Sequence, residues 1–314
     1  METLRRKDYP NITHLSQDRL QENSSLAKII NLVGEHKKVI DFGCATGYLA
    51  KLLQERGCKT TGIELNPDAA SVAENFCERV IVADLDYDHL QDLIGEEKFE
   101  VAVFGDVLEH LKDPWQLLVA AADILTPAGY IVASVPNIAH GSIRLALLYG
   151  EFQYQKLGIL DNTHLRFFTR DSLYQMFETS GYCIESEDNT KLSTFNESEL
   201  TPTINESSVS DEVISVINRD SLSECFQFVV RAYPLSSDQG YKVLESKYLA
   251  LKKQSNAAAL ELEEARSHLE RTQRALETYE ARIVDLQAVI RSMENSVWER
   301  LRRNWHHLKK VVRK

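Results

Sequence analysis

From Ser24 onward the apolar positions alternate between helical and extended spacing. Leu26, Ile29, Ile30 and Val33 recur at helical intervals behind a capping-type serine, Ser24 or Ser25, and Gly34 ends the segment. Residues 39–42 read as a short buried strand and 48–56 as a helix closed by Gly57. A strand follows at 59–64, then a helix at 67–76 that opens with proline. Residues 80–83 and 100–104 are further strands, and 115–125 is helical, stopped by Thr126, Pro127, Ala128 and Gly129. Another strand runs over 130–135. A helix at 171–179, ending at Gly181, precedes two strand-like runs at 182–187 and 225–233. Strands alternating with helices of about ten residues predict an α/β fold with a parallel sheet covered on both faces.

Three segments break this rhythm. Residues 1–23 are polar and expected to be flexible. Residues 192–224 hold seven acids, one arginine and many Ser, Thr and Asn, which reads as an exposed insertion with a short helix near 213–217. The remainder, 24–235, forms one domain.

From Tyr241 to Lys314 there is neither Gly nor Pro. One seven-residue register runs Tyr241, Tyr248, Ser255, Leu262, Leu269, Leu276, Ile283, Ile290. A second, offset by three, runs Leu244, Leu251, Ala258, Ala265, Thr272, Tyr279, Leu286, Met293. Eight such repeats predict a coiled coil over 241–295, and hence a homo-oligomer. At about 1.5 Å per residue the segment is roughly 80 Å long. The competing arrangement is a single helix folded back on the domain, whose surface is shorter than this helix. Ser255, Ala258, Ala265 and Thr272 mark a weak centre.

Charge sharpens the picture at the C-terminus. The net charge of −11 argues against nucleic acid as a partner, because phosphate binding needs a basic surface. Yet residues 296–314 carry seven Lys/Arg and one acid, Glu299. Trp298, Leu301, Trp305, Leu308 and Val312 fall on one helical face there. A basic amphipathic helix with tryptophan on its apolar side suits an anionic membrane surface; the alternative is a tail packed on the oligomer or left in solvent. The N-terminus lacks the apolar core of a secretory signal, and no run is long enough to span a bilayer. The five cysteines, at 44, 58, 77, 183 and 225, are odd in number and widely spaced, which reads as reduced thiols. The expected location is cytoplasmic, peripheral at the inner face of a membrane.

The chemistry concentrates after the first strand, in Val39-Ile-Asp41-Phe-Gly43-Cys-Ala45-Thr-Gly47. A strand ends beside an acid, and a glycine-containing turn then opens a helix, as where a backbone must let a ligand approach. The dinucleotide pattern GxGxxG is absent. Glu64, followed by Leu65, ends the next strand twenty-three residues after Asp41, where a carboxylate can accept both hydroxyls of a ribose. A third acid, Asp84, follows the third strand and precedes Leu85.

These residues resemble the class I S-adenosylmethionine-dependent methyltransferases, over roughly residues 24–235. The resemblance implies a Rossmann-like, doubly wound, mainly parallel seven-stranded sheet, with S-adenosyl-L-methionine as cofactor. It implies that Gly43 and Gly47 form the turn beneath the methionine part, with Asp41 near its amino group. Ala45 stands where the family has its central glycine and leaves slightly less room. Glu64 with Leu65 would hold the ribose, and Asp84 with Leu85 the adenine edge. The segment from Gly105 through Asp106, Glu109 and His110 to Pro114 looks like the one that follows the fourth strand, beside cofactor and acceptor. A narrower resemblance, to methyltransferases of bacterial surface-glycan biosynthesis, lies in the segment containing Asn137, His140 and Arg144 and in the one containing Asp161, His164 and Arg166. Some of those enzymes carry a coiled coil and a membrane-seeking end.

Methyl transfer from a sulfonium is an in-line displacement, so placing the acceptor oxygen opposite sulfur provides most of the acceleration. A base that removes the hydroxyl proton adds about 10²–10⁴-fold. The candidates are His164, His140 and His110. His164 comes first, because it sits with Asp161 and Arg166 in a segment expected to wall the acceptor site; alternatively it only orders its loop, while His110 only orders the turn after the fourth strand. Asn137, Arg144, Asp161 and Arg166 are the candidate acceptor contacts, Arg144 suiting a phosphate or carboxylate. Asp106 is a positioning group. No metal-ligand spacing is evident, so no metal is expected. The readings are an O-methyltransferase of a surface polysaccharide sugar, an O-methyltransferase of a small molecule such as a quinone precursor or secondary metabolite, or a scaffold that has lost catalysis.

Overall fold

The structure, a computed structural model, describes residues 16, 17 and 20–311, the side chains at 294, 296 and 306–311 excepted. Most of the N-terminal stretch expected to be flexible therefore lies outside the described residues, as do Val312 and the side chain of Leu308.

Helix α1 (Ser25–Val33) starts where Ser24 Oγ accepts the Ala27 amide, and the chain then enters β1 (Lys38–Phe42). Next come α2 (Tyr48–Gln54), β2 (Lys59–Glu64), α3 (Pro67–Ala73), β3 (Arg79–Val82), α4 (Leu90–Ile94), β4 (Phe99–Gly105) and a 3₁₀ turn (Leu108–His110). They are followed by α5 (Pro114–Asp123), β5 (Leu125–Pro136), α6 (Gly141–Leu148), α7 (Arg170–Thr179), β6 (Tyr182–Lys191), α8 (Asp211–Asn218), β7 (Cys225–Pro234) and α9 (Asp238–Val311).

The seven strands form one sheet in the order β3-β2-β1-β4-β5-β7-β6. All neighbours are parallel except β7, which runs against both β5 and β6. Period-two alternation sends the two faces of each strand into different cores. Ile40, Phe42, Ala102, Phe104, Ile131, Ala133, Phe228 and Val230 pack with α4, α5 and α7. Val39, Val101, Val103, Val132 and Val229 pack with α1, α2 and Val243. The strand order reverses between β1 and β4, and a doubly wound sheet binds its ligand in the crevice at the carboxyl ends of those strands.

Several elements depart from the sequence-based expectation, among them the short helix α4, which was not foreseen. Residues 126–129 are part of β5, which starts at Leu125 and pairs with β4 through a register shift between Phe99 and Val101. Helix α6 was not foreseen; its N-cap is His140, whose side chain accepts the Ser142 amide in place of the usual Ser, Thr, Asp or Asn. The 192–224 segment is not simply exposed. Val209 and Ile217 pack against Leu145 of α6, with Phe195, Ile204, Val213 and Ile214 around them, and Thr194 and Thr201 are buried. Gly158 shows how tightly the segment is seated. Its φ is +89°, and a Cβ there would fall 2.0 Å from the Leu200 carbonyl oxygen.

Helix α9 is continuous over 74 residues. Val243 is buried in the domain core, while every described side chain from Leu244 to Trp305 is solvent-exposed. No described helix is long and apolar enough to cross a membrane.

Candidate active site

The loop after β1 is left-handed at three positions, with φ of +68° at Gly43, +51° at Ala45 and +78° at Gly47. Only Ala45 accepts the strain of an L side chain in that region. Gly47 has a second reason to lack a side chain, since a Cβ would lie 2.9 Å from the Ala73 Cα at the end of α3. The loop is tied to β2: the amides of Gly43 and Cys44 both donate to the Ile63 carbonyl, at 2.8 and 3.0 Å. The Glu64 carboxylate continues the tie, accepting from the Ala45 amide at 2.9 Å and the Asn66 amide at 2.8 Å.

Asp41 is buried at the end of β1. Burial, and then the negative charge of Glu64, push its carboxyl up to about 8. At the end of β4, Asp106 has φ +56°, and its Oδ1 accepts from Ser134 Oγ at 2.7 Å and Gln227 Nε2 at 2.8 Å. Tyr48, at the start of α2, is raised by burial and by the charges of Asp106 and Asp41. Asp41, Glu64 and Asp106 thus gather at the carboxyl ends of β1, β2 and β4, around the loop of Gly43, Ala45 and Gly47. Asp84 lies two residues beyond the end of β3 in a turn of its own, with Oδ1 accepting the Asp86 amide and its backbone amide donating to Asp88. Leu85 is half-buried against the core, and Leu65 is exposed.

The acceptor candidates divide into two groups. His110 and His164 come together, their ring centroids 4.7 Å apart and edge-on. Two backbone bonds seat the second segment on the first, since the amides of Leu165 and Arg166 both donate to the Glu109 carbonyl, at 2.8 and 3.0 Å. Arg166 also donates to the Lys112 carbonyl. Asp161 builds the turn between them, its Oδ1 accepting from the amide and hydroxyl of Thr163 at 2.8 and 2.6 Å.

The other group is structural, which corrects the expectation for His140, Asn137 and Arg144. His140 is fully buried, with Nδ1 2.8 Å from Ser142 Oγ and Nε2 2.9 Å from the Leu192 carbonyl. An imidazole held at both nitrogens inside the protein cannot take a substrate proton, and burial lowers its pKa. Asn137, also buried, donates to the Cys225 carbonyl and accepts the Ala139 amide. Arg144 pairs with Asp220 at 2.8 Å, docking the 192–224 segment on α6.

Sequence reasoning gave no role to Glu109, Ser134 or Gln227, and expected no metal ligands. Glu109 is buried, and it lies with His110 and His164 so that one potential ligand atom from each falls within 4.8 Å of the others. Fifty-four residues separate His110 from His164, so only the fold reveals the group.

Comparison with known proteins places the chain in a family. A profile described as a methyltransferase domain matches residues 16–187, more than half of the chain. The chain belongs to this methyltransferase family. It is an enzyme, and S-adenosylmethionine is its methyl donor. The chain is 30% identical over 158 residues to a ubiquinone biosynthesis O-methyltransferase of Stutzerimonas stutzeri (strain A1501), covering 46% of this methyltransferase and 68% of that protein. It is 29% identical over 157 residues to the protein of the same name from Hydrogenovibrio crunogenus (strain DSM 25203 / XCL-2), covering 47% and 62%. A third, from Acinetobacter baylyi, is 27% identical over 133 residues, and only 56% of its length is spanned. A crystal structure of a SAM-dependent methyltransferase from Archaeoglobus fulgidus aligns with TM-score 0.46 and 22% identity, covering 67% of this chain and 91% of that one.

Proposed function

We propose that this methyltransferase transfers a methyl group to a hydroxyl of a small acceptor of the quinone-precursor class, bound beside the carboxyl end of β4 beneath the 161–166 turn. The observation that carries the reading is the seating of that turn on Glu109, which brings His110 and His164 within 4.7 Å of each other just beyond Asp106. The names of the relatives point to the same acceptor class. The polysaccharide reading loses support, because the candidate base His140 and two candidate acceptor contacts, Asn137 and Arg144, are consumed in holding α6 and the 192–224 segment.

The residues at the strand ends fit the methyl donor. Asp41 is a buried acid held protonated for want of a positive charge, which the amino group of the donor carries. Glu64 presents its carboxylate where a ribose can exchange for backbone amides, and Asp84 with Leu85 borders the same edge. Bound S-adenosylmethionine supplies an electrophilic methyl on a sulfonium sulfur. Asp106, fixed by Ser134 and Gln227, holds the end of β4 rigid, so the acceptor oxygen can be set in line with that methyl. Activating the acceptor hydroxyl falls to the group formed by Glu109, His110 and His164.

Incubation of the full chain with methyl-labelled S-adenosylmethionine and two acceptor panels tests this. Label should enter phenols and catechols rather than nucleotide sugars or glycan fragments. Label confined to the sugars would overturn the small-molecule reading.

In the same reading, residues 241–295 pair copies of the chain into a coiled coil, and residues 296–314 rest on an anionic membrane surface. What supports the pairing is that the seam residues Leu262, Leu269, Leu276, Ile283 and Ile290 are 54–59% exposed in the single chain. Trp298, Leu301 and Trp305 are likewise exposed, among Arg300, Arg302 and Arg303.

A further inference from the structure

We propose that Glu109, His110 and His164 form a binding site for one divalent first-row transition-metal ion, at the acceptor end of the active site. One carboxylate and two imidazoles converge from two segments distant in sequence, and a ligand atom from each lies within 4.8 Å of the others. Bound directly, such atoms sit about 2.0–2.2 Å from the ion and so about 3–3.5 Å apart, which small side-chain rotations reach from here.

The surroundings are those of a built site. Glu109 is 1% exposed and His164 is 8% exposed, so neither is a casual surface group. The main chain carries both segments as one piece, through the amides of Leu165 and Arg166 on the Glu109 carbonyl. Each imidazole is oriented by a carbonyl at Nδ1, His164 by Ile159 at 2.9 Å and His110 by Thr163 at 3.2 Å. A ligating histidine is commonly aligned this way, because a carbonyl at Nδ1 fixes the tautomer in which Nε2 carries the lone pair. Two nitrogens and one carboxylate oxygen favour Zn²⁺, Co²⁺, Fe²⁺ or Mn²⁺ over Mg²⁺, which prefers oxygen ligands and keeps its waters. His110 is only half-buried, so the site opens on that side.

Three protein ligands leave a position for a further oxygen. Resting on the function proposed above, that oxygen is the acceptor hydroxyl, which loses its proton to solvent more readily beside a divalent ion. Its lone pair then forms the new C–O bond, while the methyl–sulfur bond breaks and its electron pair returns to sulfur. The site thereby selects acceptors with a hydroxyl able to reach the ion and explains why the pocket can dispense with His140.

The test is a titration of the chelator-stripped full chain with Co²⁺, followed by its ligand-field absorption. One equivalent should bind saturably with visible bands of low-coordinate cobalt, and Zn²⁺ should displace it. Glu109→Gln, His110→Asn and His164→Asn should each weaken binding by about tenfold or more. Titration with S-adenosylhomocysteine reports folding of each variant, and the half-exposed His110 variant decides the matter if the buried ones fail to fold. Absence of the bands in chain that binds S-adenosylhomocysteine, or bands unchanged in His110→Asn, overturns the site; so does binding of Mg²⁺ in preference to Co²⁺ and Zn²⁺. The readout needs no acceptor. Failure of the phenol panel with intact cobalt binding refutes the proposed acceptor, while the reverse refutes the metal.

Discussion

Glu64, at the end of β2, accepts the backbone amide of Ala45 at 2.9 Å, so one carboxylate both ends a strand and holds the left-handed crown of the loop after β1. The same group stands where the ribose of the donor is expected. Binding and loop geometry are therefore joined in one side chain. Glu64→Ala should cost about 1–3 kcal/mol of S-adenosylhomocysteine affinity, through unpaired ribose hydroxyls and a looser loop. Glu64→Gln, which keeps an acceptor oxygen for the Ala45 amide, should recover part of that loss. Calorimetry on the two variants measures the difference.

Asp41 gives the donor-free protein a distinctive pH dependence. Its carboxyl is raised from 3.8 to about 8 by burial and by Glu64. A raised acid stabilises the fold fully below its unfolded pKa, and that contribution is lost as pH rises toward about 8. Denaturant unfolding should therefore show stability falling between those limits, by at most about 1.4 kcal/mol per pH unit from this one proton. Asp41→Asn should remove this component of the slope. An unchanged slope in the variant would show that Asp41 titrates normally.

His140 acts in the opposite direction. Burial lowers its pKa below 6.5, so its contribution is present above that value and lost as pH falls through the lowered one. His140→Ala should destabilise the domain by about 1–3 kcal/mol, because the Leu192 carbonyl and the α6 cap lose their partner. Its acid-side decline should be shallower than that of the parent, and its affinity for S-adenosylhomocysteine unchanged. A folded variant of undiminished stability that cannot transfer methyl would return His140 to the list of bases.

The exposed seam of α9 carries its own forecast. Sedimentation equilibrium should find the full chain oligomeric, and Leu269→Asp together with Leu276→Asp should shift it toward monomer without altering donor binding. A chain that is monomeric from the outset would show that α9 serves something other than self-pairing.

Much of the sheet was legible because its strands announce themselves locally. Residues 59–64 read as extended between Gly57 and Pro67, and the structure has β2 at Lys59–Glu64. The turn of Gly43, Ala45 and Gly47 was visible for the same reason, since left-handed backbone calls for small residues. Helix α6 was hidden because its cap is a histidine and its first turn, Gly141 to Arg144, contains no periodic stripe. The burial of the 192–224 segment was hidden by its polar composition, for Thr194 and Thr201 are among its most enclosed side chains. The neighbourhood of Glu109, His110 and His164 depends on tertiary docking of two loops, which no local pattern encodes. His140 was misread because a lone histidine near an expected acceptor site looks the same in sequence whether it caps a helix or touches a substrate.

The most direct test of the donor site is calorimetric titration of the full chain with S-adenosylhomocysteine at pH 7, repeated in buffers of different ionisation enthalpy. With Asp41 protonated in the donor-free state and ionised against the amino group of the ligand, binding should release close to one proton, and Asp41→Asn should abolish the release. Well-folded chain that fails to bind, or that binds with no buffer-dependent heat, would contradict the assignment of Asp41 and Glu64 to the donor.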